Sequence, residues 1–393
     1  MKKTIYIPVL LAIATLTACD SGDNLPVQQP EDYSVITFSA QTQRMHGESL
    51  SPRMHGESLT TRANPYEAYD PSRHPLTMGV FGYYNIASYT ELSATRAVAM
   101  PNPVFSNDTQ TYDNTTGTWG DNLKKRWDDY RGAKMFDFFA YMPQTAGAFV
   151  ERTATNVYTL SVPFSMPEGK AALFSEKQVP IICALPEHKE GTSASGKEFT
   201  FERVVSMQFD QTLTAYTLHF RLDPKMGAVR SFRIKSVSLS GNNAYAGNIT
   251  RSYSWDGNAW TAADILWTDL KRTADTDLPT ALPNSANNSQ ADDALVVTAA
   301  DYSQWGTAFY VIPDQQFLPT ISVTYDVELT AEDGSTVITR KGITSTIVLN
   351  KKNFTGLSTG KTAMISPIRI LIQPRYLYVL ADEDAYTGHL LID

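Results

Sequence analysis

The sequence has little of what an enzyme active site, a disulfide framework or a nucleic-acid interface requires. Its 393 residues include only two cysteines and six histidines, and the formal net charge is -8. The sequence motifs of zinc proteases, serine hydrolases, phosphate loops and Cys-x-x-Cys redox sites are all missing. The negative charge argues against nucleic acid as a partner, because phosphate binding requires a basic face. We therefore expect a protein that is not an enzyme and that holds no metal or cofactor.

The two cysteines lie in different contexts. Cys19 ends an N-terminal leader, whereas Cys183 lies within the apolar run of residues 179–185. Without the leader the chain has no second cysteine for an internal disulfide. The apolar surroundings of Cys183 favour a buried small side chain over a reactive thiol.

The leader, residues 1–19, has the three parts of a lipoprotein signal. Lys2 and Lys3 form a basic start, residues 5–16 are mostly apolar, and Leu-Thr-Ala-Cys closes the segment at Cys19. The apolar run is too short to span a bilayer, so it indicates secretion rather than a membrane helix. The closing residues match the lipobox of bacterial lipoproteins, in which the cysteine is acylated. We expect a lipid anchor at Cys19; a soluble secreted protein cut nearby is the alternative.

Long helical patterns are absent, and the residues that favour strands are plentiful. The chain contains 20 tyrosines and 17 phenylalanines, and aromatic residues are enriched in β-strands. Short apolar or alternating runs are separated by turn residues, as at 135–143, 216–222 and 321–329. Such spacing predicts β-sandwiches. The fold class is therefore expected to be all-β.

The length suits two domains better than one. We expect a polar linker at residues 20–32, an N-terminal β-sandwich domain at 33–200 and a C-terminal one at 201–393. Residues 187–197 are the best candidate for a linker between the two domains by composition.

Finer features follow from local patterns in the sequence. Hairpins are predicted at residues 113–117 and around Asp256 and Gly257, and a change of phase predicts a bulge near Lys235. Residues 124–131 are expected to form a solvated face, and residues 271–293 a long surface loop.

The first stretch after the linker combines a strand with a tandem repeat. Residues 33–40 alternate so that Ile36, Phe38 and Ala40 share one face. Two near-identical segments follow at 44–52 and 53–61, which polar residues, glycine and proline punctuate. This stretch is either a first strand with an irregular loop or a strand tethered by an exposed, arginine-bearing linker, where proteolysis concentrates.

Several of these segments, in the order in which they occur, resemble the fimbrillin family, the type V pilus subunits of Bacteroidales. They are the lipobox, the strand that ends at Ala40, the Thr-Arg-Ala step at 61–63, and residues 79–84, 136–143, 309–313 and 321–329. The resemblance implies two β-sandwich domains, the first transthyretin-like. It also implies a lipoprotein precursor that reaches the outer membrane, where we expect this chain to lie. An Arg-specific protease removes the leader of such precursors together with the first strand. A strand from another subunit then fills the vacated groove.

The chain departs from the family where the segment is duplicated. Three arginines, Arg44, Arg53 and Arg62, stand where one processing site is expected. Arg62 is preferred because it lies last before the folded body, so that cutting there removes the whole linker. The donor strand is expected within residues 368–392 of another subunit.

Two functions of another kind remain open from the sequence. Trp127, Trp255 and Trp260 could form a sugar-stacking platform, which a monomeric glycan-binding surface lipoprotein would need, although packing in the core is favoured. A membrane-retained pilus anchor would share the fold without a used cleavage site. The repeated His46 and His55 are not expected to bind a metal, since they lie nine residues apart in an irregular segment.

The leader predicts lipidation at Cys19. Labelled palmitate supplied to cells should be incorporated into the wild-type precursor, and Cys19→Ser should abolish incorporation because the acylated thiol is gone. Cys183→Ser is the matched control and should label normally. Equal labelling of wild type and Cys19→Ser would contradict the prediction.

Overall fold

A computed structural model describes most of the chain beyond the leader. The described residues are 35–43, 46–47, 65–86, 102–130, 132–154, 156–167, 170–191, 204–225, 230–241, 243–273, 279–284, 294–313, 320–330, 336–349, 364–372, 376–380 and 389–391. The predictions for Cys19, Arg44, Arg53, Arg62 and His55 lie outside these residues.

The described chain is almost entirely β, which confirms the predicted class. It contains no α-helix, and its two short 3-10 helices are Trp127–Tyr130 and Glu176–Gln178. No helix among the described residues is long and apolar enough to cross a membrane. The strands, in chain order, are β1 (Thr37–Gln43), β2 (His46–Gly47), β3 (Tyr66–Ala68), β4 (Thr77–Asn85), β5 (Asn102–Asp113), β6 (Thr118–Gly120), β7 (Met135–Met142), β8 (Phe149–Ala154), β9 (Val157–Ser165), β10 (Ile181–Cys183), β11 (Glu187–Glu190), β12 (Val204–Gln211), β13 (Thr214–Leu222), β14 (Arg230–Ser240), β15 (Ala244–Trp255), β16 (Trp260–Ala262), β17 (Leu266–Arg272), β18 (Thr280–Leu282), β19 (Leu295–Val297), β20 (Ser303–Val311), β21 (Thr320–Thr330), β22 (Thr336–Val348), β23 (Met364–Ile372), β24 (Tyr376–Leu380) and β25 (His389–Leu391).

The first sandwich is built from a large sheet and a smaller one. The large sheet has the order β10-β12-β1-β6-β5-β4-β7-β11, and β10 also pairs with β7, so seven of its strands form a closed ring. The smaller sheet has the order β16-β15-β9-β8, with β17 beside β15. Aromatic side chains join the two sheets, since the ring of Phe139 lies 5.6 Å from that of Tyr253 and 5.7 Å from that of Trp260. All eight residues of β7, Asp137 among them, are buried, as its nearly continuous apolar run predicts.

The second sandwich also pairs two sheets. One has the order β20-β13-β23-β24-β25, with β2 on β23, and the other has the order β18-β14-β21-β22, with β19 on β14. Inward-facing side chains of both sheets form one core cluster, which includes Phe220, Ile234, Ile321 and Ile370. A backbone pair links the two sandwiches, because the N–H groups of Leu173 and Tyr310 each donate to the carbonyl oxygen of the other at 2.9 Å.

Strand pairing crosses the predicted domain boundary near residue 200. β12 pairs with β1 and β10, and β15 pairs with β9, so strands from the second half of the chain complete the first sandwich. The boundary itself stays a prediction. A linear division misses this pairing because alternation in a sequence identifies strands but not their partners.

Local predictions were confirmed at the turns and the bulge. Asp113 pairs with Thr118 and Trp255 with Trp260 across their turns, and the register of β14 against β21 shifts between Ile234 and Ser236.

Two predicted loops were wrong in part. Glu187–Glu190, in the proposed linker, form β11 on the part of β7 that β10 leaves unpaired, where His188 Nδ1 lies 2.8 Å from Asp137 Oδ1. Within the proposed loop 271–293, Thr280 and Leu282 are buried in β18, and the Thr280 hydroxyl accepts a hydrogen bond from the Ala171 N–H at 3.0 Å. In both places a strand edge pairs with a segment of polar composition. Residues 285–293 lie outside the described chain.

Two glycines in the second sandwich give a matched test of its packing. Gly306 and Gly342 both have positive φ, at 60° and 67°. Alanine at either position should cost about 1–2 kcal/mol for the left-handed conformation. At Gly306 the added Cβ would also overlap the carbonyl oxygen of Pro283, whereas at Gly342 it meets nothing within 4 Å. Urea unfolding should therefore show a clearly larger loss of stability for Gly306→Ala; equal losses would contradict this packing.

Candidate functional site: the groove that holds the first strand

β1 is an inner strand of the closed ring. It runs parallel to β12, from Thr37 opposite Val204 to Thr42 opposite Phe209. Its other edge pairs with β3 and, through one residue pair, with β6. Because both edges of β1 are paired, its removal would open the ring and leave unpaired backbone groups on the strands at either side.

The inward face of β1 fills an aromatic groove. Ile36 and Phe38 are 2% and 0% exposed, and the half-buried Ala40 packs against the same core. The ring of Phe38 makes edge-to-face contacts with Phe105 and Phe138, at centroid distances of 5.5 Å and 5.7 Å. Full burial of each large apolar side chain stabilises the fold by about 1.5–3 kcal/mol. The shared face predicted for these residues is thus the buried face of the strand.

Lys125 packs at the start of β1 through both its backbone and its side chain. The carbonyl oxygen of Lys125 accepts the Ile36 N–H at 2.8 Å. Its ammonium group donates to the carbonyl oxygen of Val104 at 2.6 Å, pairs with Asp108 and lies 4.5 Å from the centre of the Phe105 ring. The solvated face expected for residues 124–131 is therefore wrong at Lys125. Its partners lie far away in sequence, and no local pattern marks them.

The other end of the groove is polar and buried. The Thr42 hydroxyl lies 3.1 Å from His74 Nε2, and the two residues are 0% and 2% exposed. Burial lowers the pKa of His74, which favours the neutral ring. The Tyr69 ring packs 5.7 Å from the ring of His74. Sequence reasoning missed His74, because a single histidine in a turn carries no motif.

An ion-pair network beside His74 reaches the second sandwich. Arg73 Nε donates to Glu176 Oε2 at 2.7 Å, and Arg73 also pairs with Glu67 at 3.1 Å. The Tyr310 hydroxyl on β20 donates to Glu176 Oε1 at 3.0 Å. Burial raises the pKa of Glu176, but the bonds and charge of Arg73 outweigh it and the net shift is downward. The polar end of the groove thus adjoins a contact between the two sandwiches.

The outward face of β1 carries side-chain bonds to β12. The hydroxyls of Ser39 and Ser206 lie 3.1 Å apart, and Gln208 Nε2 donates to Gln41 Oε1 at 3.2 Å. These pairs lie directly opposite each other in the ladder, so they favour this register over one shifted by a residue.

The remaining candidate residues lie in the core. Trp127, Trp255 and Trp260 are 8%, 6% and 7% exposed, so they form no exposed platform for a sugar. Cys183 is fully buried, as predicted, and its burial raises the pKa of the thiol. Among the described residues, no three His, Cys, Asp or Glu side chains are grouped so that they could hold a metal ion.

Comparisons with known proteins give similar structures but no matching sequence. No protein-family model and no curated protein matches the chain. A fimbrial protein from Bacteroides vulgatus is 14% identical with a TM-score of 0.44, over 79% of this chain and 93% of that one. Proteins from Bacteroides ovatus and Bacteroides uniformis, to which a cell-adhesion role has been ascribed, are 12% and 13% identical with TM-scores of 0.41 and 0.40. Each covers 91% of this chain, and the matches span 99% and 100% of those chains. Similarity at this level assigns neither a family nor a function.

The packing of β1 predicts that two of its positions, three residues apart, contribute very differently to the free energy of unfolding. Phe38→Ala should lower the free energy of unfolding of the uncleaved chain by about 3–5 kcal/mol, because it leaves a cavity between Phe105 and Phe138. Gln41→Ala, on the exposed face, should change it by no more than about 0.5 kcal/mol. Denaturant unfolding measures both. Similar small effects would mean that β1 adds little to the fold.

Proposed function

We propose that this chain is a structural, adhesive subunit of a cell-surface fimbria. In this proposal it is exported to the outer membrane as a precursor lipidated at Cys19. It assembles by strand exchange after an Arg-specific protease cuts at Arg62, or at Arg53 or Arg44. The observation that carries the proposal is the position of β1: a strand buried on one face and paired on both edges, followed directly by an arginine-bearing repeat.

Cleavage would change the equilibrium of β1 without changing any of its contacts. While the linker is intact, the tether keeps β1 at a high effective concentration beside its groove, on the order of millimolar. Once the linker is cut, β1 is no longer held beside its groove. It dissociates, and because the free strand is dilute it seldom rebinds. The open groove has apolar walls and two unpaired strand edges, and such a surface favours association. A strand from another subunit adds there by β-augmentation.

The closed ring would keep the uncut chain from assembling. With β1 in place, the ring of the first sandwich is closed and offers no edge beside β12. The proposal therefore makes proteolysis, rather than folding, the step that permits polymerisation.

The pairing of the C-terminal strands narrows the choice of donor. β23 pairs with β13 along eight residues, from Ile365 to Ile372, and Ile368 and Ile370 are buried in the core of the second sandwich. β24 and β25 follow it at the end of the sheet order, where release disturbs less of the core. We therefore take residues 376–391 as the donor, within the wider range that the sequence suggested.

Finer assignments complete the proposal. The N-terminal sandwich is taken as transthyretin-like, from the resemblance to fimbrillins. Cys19 supplies the lipid anchor of the precursor, and other pilus subunits are the partners. The glycan-binding alternative depended on exposed tryptophans, and their burial removes its basis.

The proposal is tested by cutting purified precursor with an Arg-specific protease and following its size by chromatography. Polymers should appear only after cleavage, because β1 leaves its groove only when the tether is cut. Arg62→Lys, combined with the same change at Arg53 and Arg44, should prevent both cleavage and polymerisation while keeping the charge.

Two further variants separate the steps. A chain truncated after residue 375 should be cut normally but remain monomeric, since it lacks β24 and β25. Gln41→Ala should be cut and should polymerise like wild type. A wild-type chain that stays a stable monomer after complete cleavage would contradict strand exchange.

A further inference from the structure

The groove has a polar end that any replacing strand must satisfy. Thr42 faces inward on β1 and is fully buried, and its side chain lies 3.1 Å from His74 Nε2, the one hydrogen bond that it makes to the described residues. A strand with an apolar residue at this position would leave His74 buried without that partner, and an unsatisfied buried polar group is destabilising. The polar end therefore restricts which strands the groove accepts.

The groove also has a hydrogen-bond donor that β1 does not use. Trp119 on β6 lies opposite Phe38, four residues before Thr42; it is 1% exposed, and its Nε1–H has no hydrogen-bond partner among the described residues. The ring of Tyr69 lies between this region and His74, 4.3 Å from Trp119 and 5.7 Å from His74. A threonine hydroxyl has one oxygen, whereas a carboxylate has two and accepts several hydrogen bonds. An acidic side chain at the position of Thr42 would therefore offer His74 more acceptor sites than the threonine does.

The C-terminal segment provides an acidic residue in the matching position. When Tyr378 is placed at the position of Phe38, residues Tyr376 and Leu380 fall at those of Ile36 and Ala40. Asp382 then falls at the position of Thr42. A shift by one residue puts Glu383 there, but puts Val379 rather than an aromatic ring into the groove between Phe105 and Phe138.

We propose that His74 is the specificity-determining residue of the groove, and that it selects the donor strand by pairing with the carboxylate of Asp382 from a second copy of the chain. This inference rests on the proposed strand exchange and specifies its register. It also makes the exchange directional, because threonine in β1 gives His74 a neutral partner and aspartate gives it a charged one.

The charge change makes the exchange depend on pH. With β1 in place, burial lowers the pKa of His74 and the ring is neutral at pH 7. A carboxylate within hydrogen-bond reach favours the imidazolium and raises this pKa. Exchange thus takes up a proton, so it is favoured as the pH falls. The other charged groups that act on His74, Glu67, Asp70, Arg73 and Glu176, belong to the body of the chain and remain in both states.

The test uses the full chain cut by an Arg-specific protease and a fluorescent peptide of residues 374–386. Binding of the wild-type peptide should strengthen by about tenfold between pH 7.5 and 5.5, the change that corresponds to one pKa unit. The Asp382→Asn peptide should bind with much less pH dependence, whereas the Glu383→Gln and Asp384→Asn peptides should behave like wild type. His74→Gln in the cut chain should remove the difference between the wild-type and Asp382→Asn peptides.

The outcomes distinguish this inference from the function on which it rests. If all four peptides bind the cut chain with the same affinity and pH profile, the groove accepts donors without His74 and the inference is wrong, while strand exchange stands. If no peptide binds at any pH and the cut chain stays monomeric, both are wrong. Loss of pH dependence with Glu383→Gln instead of Asp382→Asn would overturn the register.

Discussion

The closed ring of the first sandwich depends on one strand. β1 joins β12 to β3 and β6, and its Phe38 contacts two aromatic rings from different strands of the sheet, Phe105 and Phe138. Burial of this face is non-directional and needs only apolar side chains of suitable size. The ladder hydrogen bonds need only an extended backbone. A groove of this kind is therefore able to hold more than one sequence, which is the physical requirement for strand exchange.

Polar contacts give the groove the selectivity that apolar packing lacks. The buried Thr42 and His74 pair lies at one end, and Lys125 holds the chain over the other. The ion pairs of Arg73 continue from the His74 end to Glu176 and Tyr310, which belongs to the second sandwich. The polar end of the groove is therefore connected through these contacts to the second sandwich.

The sequence predicted the elements well and their partners poorly. Alternation identified the buried face of β1, and turn residues located the hairpins at Asp113 and Trp255, because these signals depend on neighbours in the chain. The pairing of β1 with β12 joins residues about 170 positions apart, and no local pattern encodes it. For the same reason the sequence does not predict the contacts of Lys125 and His74 with β1.

Polar composition misled the prediction where strands were edges. The polar composition of residues 187–190 predicts a linker, yet they pair with β7, since an edge strand is stabilised by its backbone bonds and keeps its side chains partly in water. The candidate site divides in the same way. Its apolar half was visible in the spacing of Ile36 and Phe38, whereas its polar half became visible only when the fold brought distant side chains together.

The central claim is that β1 must leave its groove before subunits join, and a reversible cross-link between β1 and β12 tests it most directly. Ser39 and Ser206 lie opposite each other with their hydroxyls 3.1 Å apart, so Ser39→Cys with Ser206→Cys should form a disulfide across the two strands. The oxidised chain, cut completely by an Arg-specific protease, should remain monomeric, and addition of a reductant should start polymerisation. Polymers that form while the disulfide is intact would contradict the account.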